Sequence, residues 1–578
     1  MNMLSSGPGK VSILGAPRLW NIVFIWTLLV YAAGLSIDIM EPDAAVYAEI
    51  SMEMHDSGNW LNIFHKGKDW LDKPHFPFWM TALSYKIFGV NAFAYKLPGI
   101  LFVLLGAWYV FLFAKKFYSA RHGYIAALLL LTAEHIIISN QDVRAEPYMT
   151  GLTIMSLYHF ALYLLAVRPS FAGNIAARLP AATGPGKWFH ALAGSLALSC
   201  LIMTKGLFTI IPVAGGIGLS LLFAGRWKTI FHWQWLAIGS LVLIGLFPSL
   251  YGYYLQFDLH PEKEIFGQQN VSGVEFFLWT SQWGRFTNTG PITGKGDLFF
   301  FVHTLLWAFL PWAFLAFFAL FRKTKELIRG VSATENYTYF GFISLFIIFS
   351  LSRFQLSFYL NPLFPLLAIL TTAVLLKQKT KTLRTFAIMH GVLCGLLLAA
   401  LGLLHFFFSG SMPHIDTLVI LLTGSGIGFY LFTRKGKYLK KIVFATALIT
   451  LSVNYYVNRD FYPVLLTYQS ESQVGYYVKE NGIPAKDLVI IGDVQSVADI
   501  ILRQVTPVYP FADLGVEELE GKYVYTDETG LQKIDSIGKP YQLLKVFDDF
   551  HVTMLTGKFI NRKTREAAVD KKYLLKIE

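Results

Sequence analysis

Apolar runs of about 20 residues, the length an α-helix needs to cross a bilayer, recur through most of this 578-residue chain. They fall near 19–39, 93–114, 122–139, 147–167, 188–204, 206–224, 234–256, 298–321, 338–352, 357–376, 385–408, 415–433 and 439–457. Such a chain cannot fold as a series of soluble domains. Only 15% of its residues are charged and 54% are hydrophobic, whereas an average soluble domain is about 25% charged. The expected architecture is an all-α polytopic membrane protein of about 13 transmembrane helices. Cys200 and Cys394 each lie inside an apolar run, so the sequence holds neither a disulfide framework nor a CxxC metal pattern.

The net charge of +12 does not indicate a nucleic-acid partner, because the basic residues sit in short clusters between apolar runs. One set of loops carries Lys115, Lys116 and Arg121, then Arg168, Arg178 and Lys187, then Arg226 and Lys228. It continues through Arg322, Lys323, Lys377, Lys379, Lys435 and Lys437. The alternate set is poorer in base and holds nearly all the loop carboxylates. The positive-inside rule then places residues 1–18 in the cytoplasm and the 41–92 loop outside. The first span follows Lys10 and Arg18 with no small-residue cleavage site after it, so an anchor is expected instead of a removed signal. After Arg459 the composition becomes mixed. The run DLVIIGD (487–493), the helix-like VQSVADIILRQV (494–505) and strand candidates at KYVYTD and YQLLKVF predict a small outer α/β domain over 459–578, following a membrane domain over 19–458.

Chemistry concentrates in the first outer loop. Its first part, EPDAAVYAEISMEMHDSGNW, repeats Asp43, Tyr47, Ile50 and Met54 at helical spacing, and likewise Glu49, Glu53 and Asp56. The pattern predicts a helix on the membrane surface with one polar face. Asp72-Lys73-Pro74 then opens an amphipathic aromatic segment, with proline favoured at a helix start and the lysine at headgroup level. An ammonium there can contact a lipid phosphate, and a nearby carboxylate can act as general base on a hydroxyl. The bland alternative is an ordinary interface of snorkelling lysine, aromatic belt and solvated acids.

Other polar points interrupt apolar surroundings. Asp142 and Glu146, four apart with Arg144 between them, form either an electrostatic site or a self-neutralised turn. Lys205, Arg285, Arg353 and Tyr359 all fall on the expected outer side, where base is otherwise scarce. Together they suggest a cationic pocket for a phosphate; singly, each reads as a snorkelling end cap.

Taken in order, these residues resemble the membrane glycosyltransferases of the protein O-mannosyltransferase and aminoarabinose transferase superfamily, the GT-C class. The family pattern D-E-A-x-Y-A-E…G-D-W appears as Asp43-Ala-Ala-Val-Tyr47-Ala-Glu49 with Gly58-Asn59-Trp60. It continues through Gly67, Asp72-Lys73-Pro74, Trp79 and Phe88-Gly89. Thr204-Lys205-Gly206, Arg285-Phe286, Leu310-Pro311-Trp312 and the set Ser350, Arg353, Tyr359 and Pro362 follow. The resemblance covers about 20–375. Departures are Ala44 for an acid, Val46 for an arginine, Asp72 for a glutamate and His75 for a proline.

The resemblance implies an inverting transfer from a polyprenyl-phosphate-linked sugar, aminoarabinose or a hexose, at the outer face of a bacterial inner membrane. The acceptor would be lipid A, a protein hydroxyl or a glycan. It makes Asp43 the general base, Asp142 or Glu146 the second site acid, and Tyr47, Lys73, Lys205, Arg285, Arg353 and Tyr359 the donor-phosphate and lipid contacts. It also makes Asp72 and His75 candidate ligands of a divalent metal. A flippase or transporter of a lipid-linked sugar is the alternative function. It fits less well because the acids gather at one face of the membrane and no internal repeat is visible.

Overall fold

The computed structural model describes residues 17–167, 186–289, 293–331, 334–492, 497–510 and 519–578. Most of the expected N-terminal segment, Arg168 and Arg178, and the side chain of Arg285 lie outside the described residues. Helical structure overlies each of the apolar ranges. Among the described residues, eight helices are long and apolar enough to cross a membrane, and a bent pair would make a ninth. The remaining ranges are covered by shorter or broken helices, including Leu207–Phe223 and Tyr337–Leu351.

The bent pair shows why one apolar run is not always one straight helix. Ala120–Leu131 and Glu134–Gln141 meet at 55°. At the break the amide of Glu134 donates to the carbonyl of Leu310 at 2.9 Å, and the Trp312 indole donates to Thr132 Oγ1 at 3.0 Å. The Leu310-Pro311-Trp312 turn therefore satisfies the backbone that the break would leave bare inside a membrane.

The C-terminal part is a small mixed domain. Its five strands run in the order Val508–Tyr509, Leu488–Ile491, Tyr523–Asp527, Asp570–Ile577 and Tyr541–Asp549. The first three are parallel and the last two join antiparallel, with a register shift between Leu543 and Lys545. Leu488 and Ile490 pack with Val474 and Phe547 on one face, while Val489 and Ile491 pack with Ile534 and Leu575 on the other. Both faces of the inner strands are covered, which is why that segment reads as an unbroken apolar run.

Two contacts set this domain over the first loop. Helix Val497–Leu502 packs on helix Pro42–Ser57, and Tyr476 donates to the Asp38 carboxylate at 2.9 Å. A third ties the domain to the long membrane helix Thr380–Phe408. The buried Arg565 donates to the carbonyls of Phe408 at 2.8 Å and Phe559 at 2.9 Å, its guanidinium 4.2 Å from the Phe408 ring.

This docking corrects one expectation. Helix Pro42–Ser57 is not a solvated surface helix: Tyr47, Glu49, Ile50, Met52 and Met54 are all buried, because helix Val497–Leu502 and the hairpin Phe64–Asp69 cover its outer side. The second helix of the loop starts at Phe76, with Pro77 rather than Pro74 in its first turn.

Candidate active site

Pro42 opens the loop helix and Asp43 lies in its first turn, where the partial positive charge of a helix N-terminus favours a carboxylate. The backbone before it is braced from below. Asp142 accepts from the amides of Met40 at 3.4 Å and Glu41 at 3.3 Å, and burial raises the Asp142 carboxyl above its usual range. Lys205 is placed by the end of its helix. Gly206 follows with φ 106°, and a Cβ there would fall 2.2 Å from the Gln282 amide nitrogen, so only glycine lets the helix end with Lys205 turned inward.

These elements enclose a cavity of about 230 Å³ lined by Asp43, Tyr47, Asp72, Lys73, Arg144, Glu146, Lys205 and Tyr359, with Phe354, Leu356 and Phe358 as its apolar wall. Asp43 is 61% exposed by side chain, so it faces whatever approaches the cavity mouth. Arg144 bridges Asp43 at 3.7 Å and Glu41 at 3.5 Å, its guanidinium 3.9 Å above the Phe358 ring. Burial would pull that guanidinium down, but Glu146, Glu41, Asp142 and Asp43 outweigh it and hold Arg144 protonated. Lys205 pairs with Glu146, both buried, and stands 4.5 Å from the Tyr359 ring. Lys73 pairs with Asp72. Tyr47 packs edge-on against Phe78 at 5.3 Å, and burial raises its phenol well above the ordinary value, so it stays neutral.

A second cavity of about 430 Å³ abuts the first. It is lined by Leu207, Phe208, Leu278, Trp279, Trp283 and Phe349 among others, and it shares Lys205, Phe354 and Tyr359 with the charged cavity. A charged chamber thus opens through one lysine and one tyrosine onto an apolar groove in the membrane domain, a layout suited to an amphiphile with a phosphate head.

The expected cationic pocket is a charge-paired one. Three cations, Lys73, Arg144 and Lys205, face three carboxylates, Asp72, Asp43 and Glu146. Arg353 is exposed and lines neither cavity. Helix Ser281–Thr287, which carries Arg285, lines the apolar groove through Ser281, Gln282, Trp283 and Phe286. Of the two candidate second acids, Glu146 lines the cavity and Asp142 supports the backbone entering it.

The Asp72–His75 metal pair is not assembled. His75 is fully buried, with Nε2 2.8 Å from the carbonyl of Leu61 and Nδ1 2.8 Å from Ser249 Oγ. Both ring nitrogens are used, and burial lowers its pKa to about 4. Asp72 is committed to Lys73, and among the described residues no group of three or more His, Cys, Asp or Glu is placed to hold an ion. The residues present do not fit a metal at that pair. From the sequence, Arg144 stands between Asp142 and Glu146 in either an electrostatic site or a self-neutralised turn and is not among the expected phosphate contacts; the structure sets it in the cavity wall.

Residues 18–263 match the family of dolichyl-phosphate-mannose-protein mannosyltransferases. The fold is similar to that of ArnT from Cupriavidus metallidurans bound to undecaprenyl phosphate, with a TM-score of 0.69 at 19% identity, covering 96% of this chain and 97% of that one. In the matched segment and in its fold the chain is similar to multi-pass membrane glycosyltransferases of the GT-C class. Among curated relatives, an uncharacterized protein of Aquifex aeolicus is 26% identical over 69% of this chain and 72% of its own length. An undecaprenyl phosphate-alpha-4-amino-4-deoxy-L-arabinose arabinosyl transferase of Edwardsiella ictaluri is 27% identical over 61% of this chain. The match spans 58% of that enzyme, less than two thirds of its length.

Proposed function

We propose that the chain transfers a sugar from a polyprenyl-phosphate donor to an acceptor at the outer face of a bacterial inner membrane, with inversion at the anomeric carbon. The observation that carries this reading is the junction at Lys205 and Tyr359, where the charged cavity meets the apolar groove. The groove takes the first part of the polyprenyl chain, and the phosphate lies among Lys73, Arg144 and Lys205. The acceptor enters past the exposed Asp43.

In the reaction the acceptor oxygen attacks the anomeric carbon while its proton passes to Asp43. The bond from that carbon to the phosphate oxygen breaks, and the electron pair leaves with the polyprenyl phosphate. Charge that develops on the leaving oxygen meets cations already fixed by their own carboxylates, the kind of preorganisation that lowers such a barrier most. Tyr359 closes the wall at the head of the groove. The curated relatives support an aminoarabinose donor ahead of a hexose, and lipid A, a protein hydroxyl and a glycan remain the acceptors to compare. The topology that fits has thirteen crossings, a cytoplasmic N-terminus and an outer C-terminal domain, so that the domain and the first loop meet on one side.

The test uses purified protein, undecaprenyl-phosphate sugars and membrane fractions as acceptor. Release of free undecaprenyl phosphate that depends on acceptor supports the transferase. Movement of the intact lipid-linked sugar across a vesicle bilayer without release identifies a flippase instead.

A further inference from the structure

The small hairpin Phe64–Asp69 lies outside both cavities, yet it leads within four residues to Lys73. Two strands of two residues each cannot hold themselves in place, so the hairpin takes its position from what grips it. Its turn residues Lys66 and Gly67 have φ of 52° and 69°, and Glu53 of the cavity helix accepts from their amides at 2.6 Å and 3.0 Å. Gln256 bonds the amide and carbonyl of Ile63, each at 2.8 Å, and Lys263 holds Asp69 at 3.0 Å.

A fourth grip comes from the C-terminal domain. Asp499, only 1% exposed, stands 3.4 Å from the Lys66 ammonium and is itself fixed by the Thr506 amide at 2.9 Å. Among the described residues the Lys66 ammonium makes no hydrogen bond, so this ion pair is what anchors it. Glu49 of the cavity helix is buried beside the pair, with His65 Nε2 at 3.3 Å.

We propose that Asp499 is a positioning residue for transfer: through Lys66 it clamps the hairpin, and the hairpin sets where Lys73 meets the donor phosphate. This rests on the function proposed above. The C-terminal domain is then a working part of the donor site and not an appendage. Burial raises the Asp499 carboxyl to about 6, against the pull of Lys66 and with Glu49 adding to the rise. The charged groups acting on it are Lys66 on the hairpin and Glu49 on the cavity helix, and Glu49 in turn faces His65. As pH falls below about 6 the carboxylate gains a proton, the pair with Lys66 is lost, and the clamp opens.

The experiment compares wild type, Asp499→Asn and Asp499→Glu by donor kinetics across pH 5 to 8 and by amide hydrogen exchange. Asp499→Asn should raise the donor KM about tenfold at pH 8, within what a displaced binding group costs, with a smaller change in kcat. In wild type the donor KM should rise on acidification through pH 6, and in Asp499→Asn that limb should vanish. Amides of residues 63–73 should exchange faster while the membrane helices do not, and Asp499→Glu should restore both readouts in part. An unchanged donor KM with unchanged exchange, or an acid limb that survives in Asp499→Asn, would overturn the clamp. If Asp499→Asn loosens the whole C-terminal domain, Lys66→Met replaces it and is judged by the same two readouts. If wild type releases no polyprenyl phosphate from any donor, the proposed function fails, and the exchange comparison alone decides the clamp.

Discussion

Lys205 and Glu146 show how pairing governs this site at the scale of single residues. Both are buried and each is the other's partner. Removing one member of a buried pair costs about 3–5 kcal/mol because the other charge is left uncompensated. Lys205→Met should therefore lower the thermal unfolding midpoint in detergent, and Glu146→Gln combined with Lys205→Met should recover most of that loss. Neither variant should bind undecaprenyl phosphate as wild type does. Recovery of stability without recovery of binding separates the lysine's two duties. Asp43, Tyr47, Lys73, Lys205 and Tyr359 are site candidates from the sequence, and the structure brings them to one cavity. Their carboxylate partners were harder to see, because Asp72 was read as a metal ligand and the pairing of Glu146 with Lys205 spans 59 positions. His75 misled for a similar reason: its partners Leu61 and Ser249 come from separate elements, and nothing local announces them.

At the scale of elements, Arg565 is the bolt between the C-terminal domain and the membrane helix Thr380–Phe408. Its guanidinium satisfies the carbonyls of Phe408, Phe559 and Ile560 and lies against the Phe408 and Phe559 rings. Arg565→Ala removes charge-assisted bonds worth about 1.5–3 kcal/mol each and should expose the segment near Phe559 to limited proteolysis while the membrane helices stay protected. Arg565→Lys should rescue little, since an ammonium cannot reproduce the planar fork. The strands Leu488–Ile491, Tyr523–Asp527 and Tyr541–Asp549 were foreseen from their apolar runs. Asp570–Ile577 was not, although it lies between two of them in the sheet. Its sequence, DKKYLLKI, is lysine-rich, and only the sheet pairing shows which of its residues face inward. The break at Thr132 was equally hidden, since it depends on a turn some 180 positions away.

For the whole molecule, the account requires the cavity mouth and the C-terminal domain to share one side of the membrane. Ser536 and Lys435 are both exposed, and they should behave oppositely. In intact spheroplasts an impermeant maleimide should label Ser536→Cys and leave Lys435→Cys unlabelled until the membrane is opened. The native Cys394 is buried and Cys200 partly so, which keeps the background low. The loop charges predict an orientation because charge bias is a statistical property of many residues, and this labelling tests it. The number of crossings is less legible, since several spans are short or broken and length alone does not decide them.

The measurement that bears most directly on the central claim is a comparison of wild type with Asp43→Asn, reading both donor binding and acceptor-dependent release of undecaprenyl phosphate. The exposed carboxylate is assigned the acceptor's proton and no share of the donor's grip. The substitution should lower the release rate by about 10²- to 10⁴-fold, the usual contribution of a general base, while the donor Kd stays within a few-fold. Release at the wild-type rate from Asp43→Asn, with donor bound normally, would contradict the account.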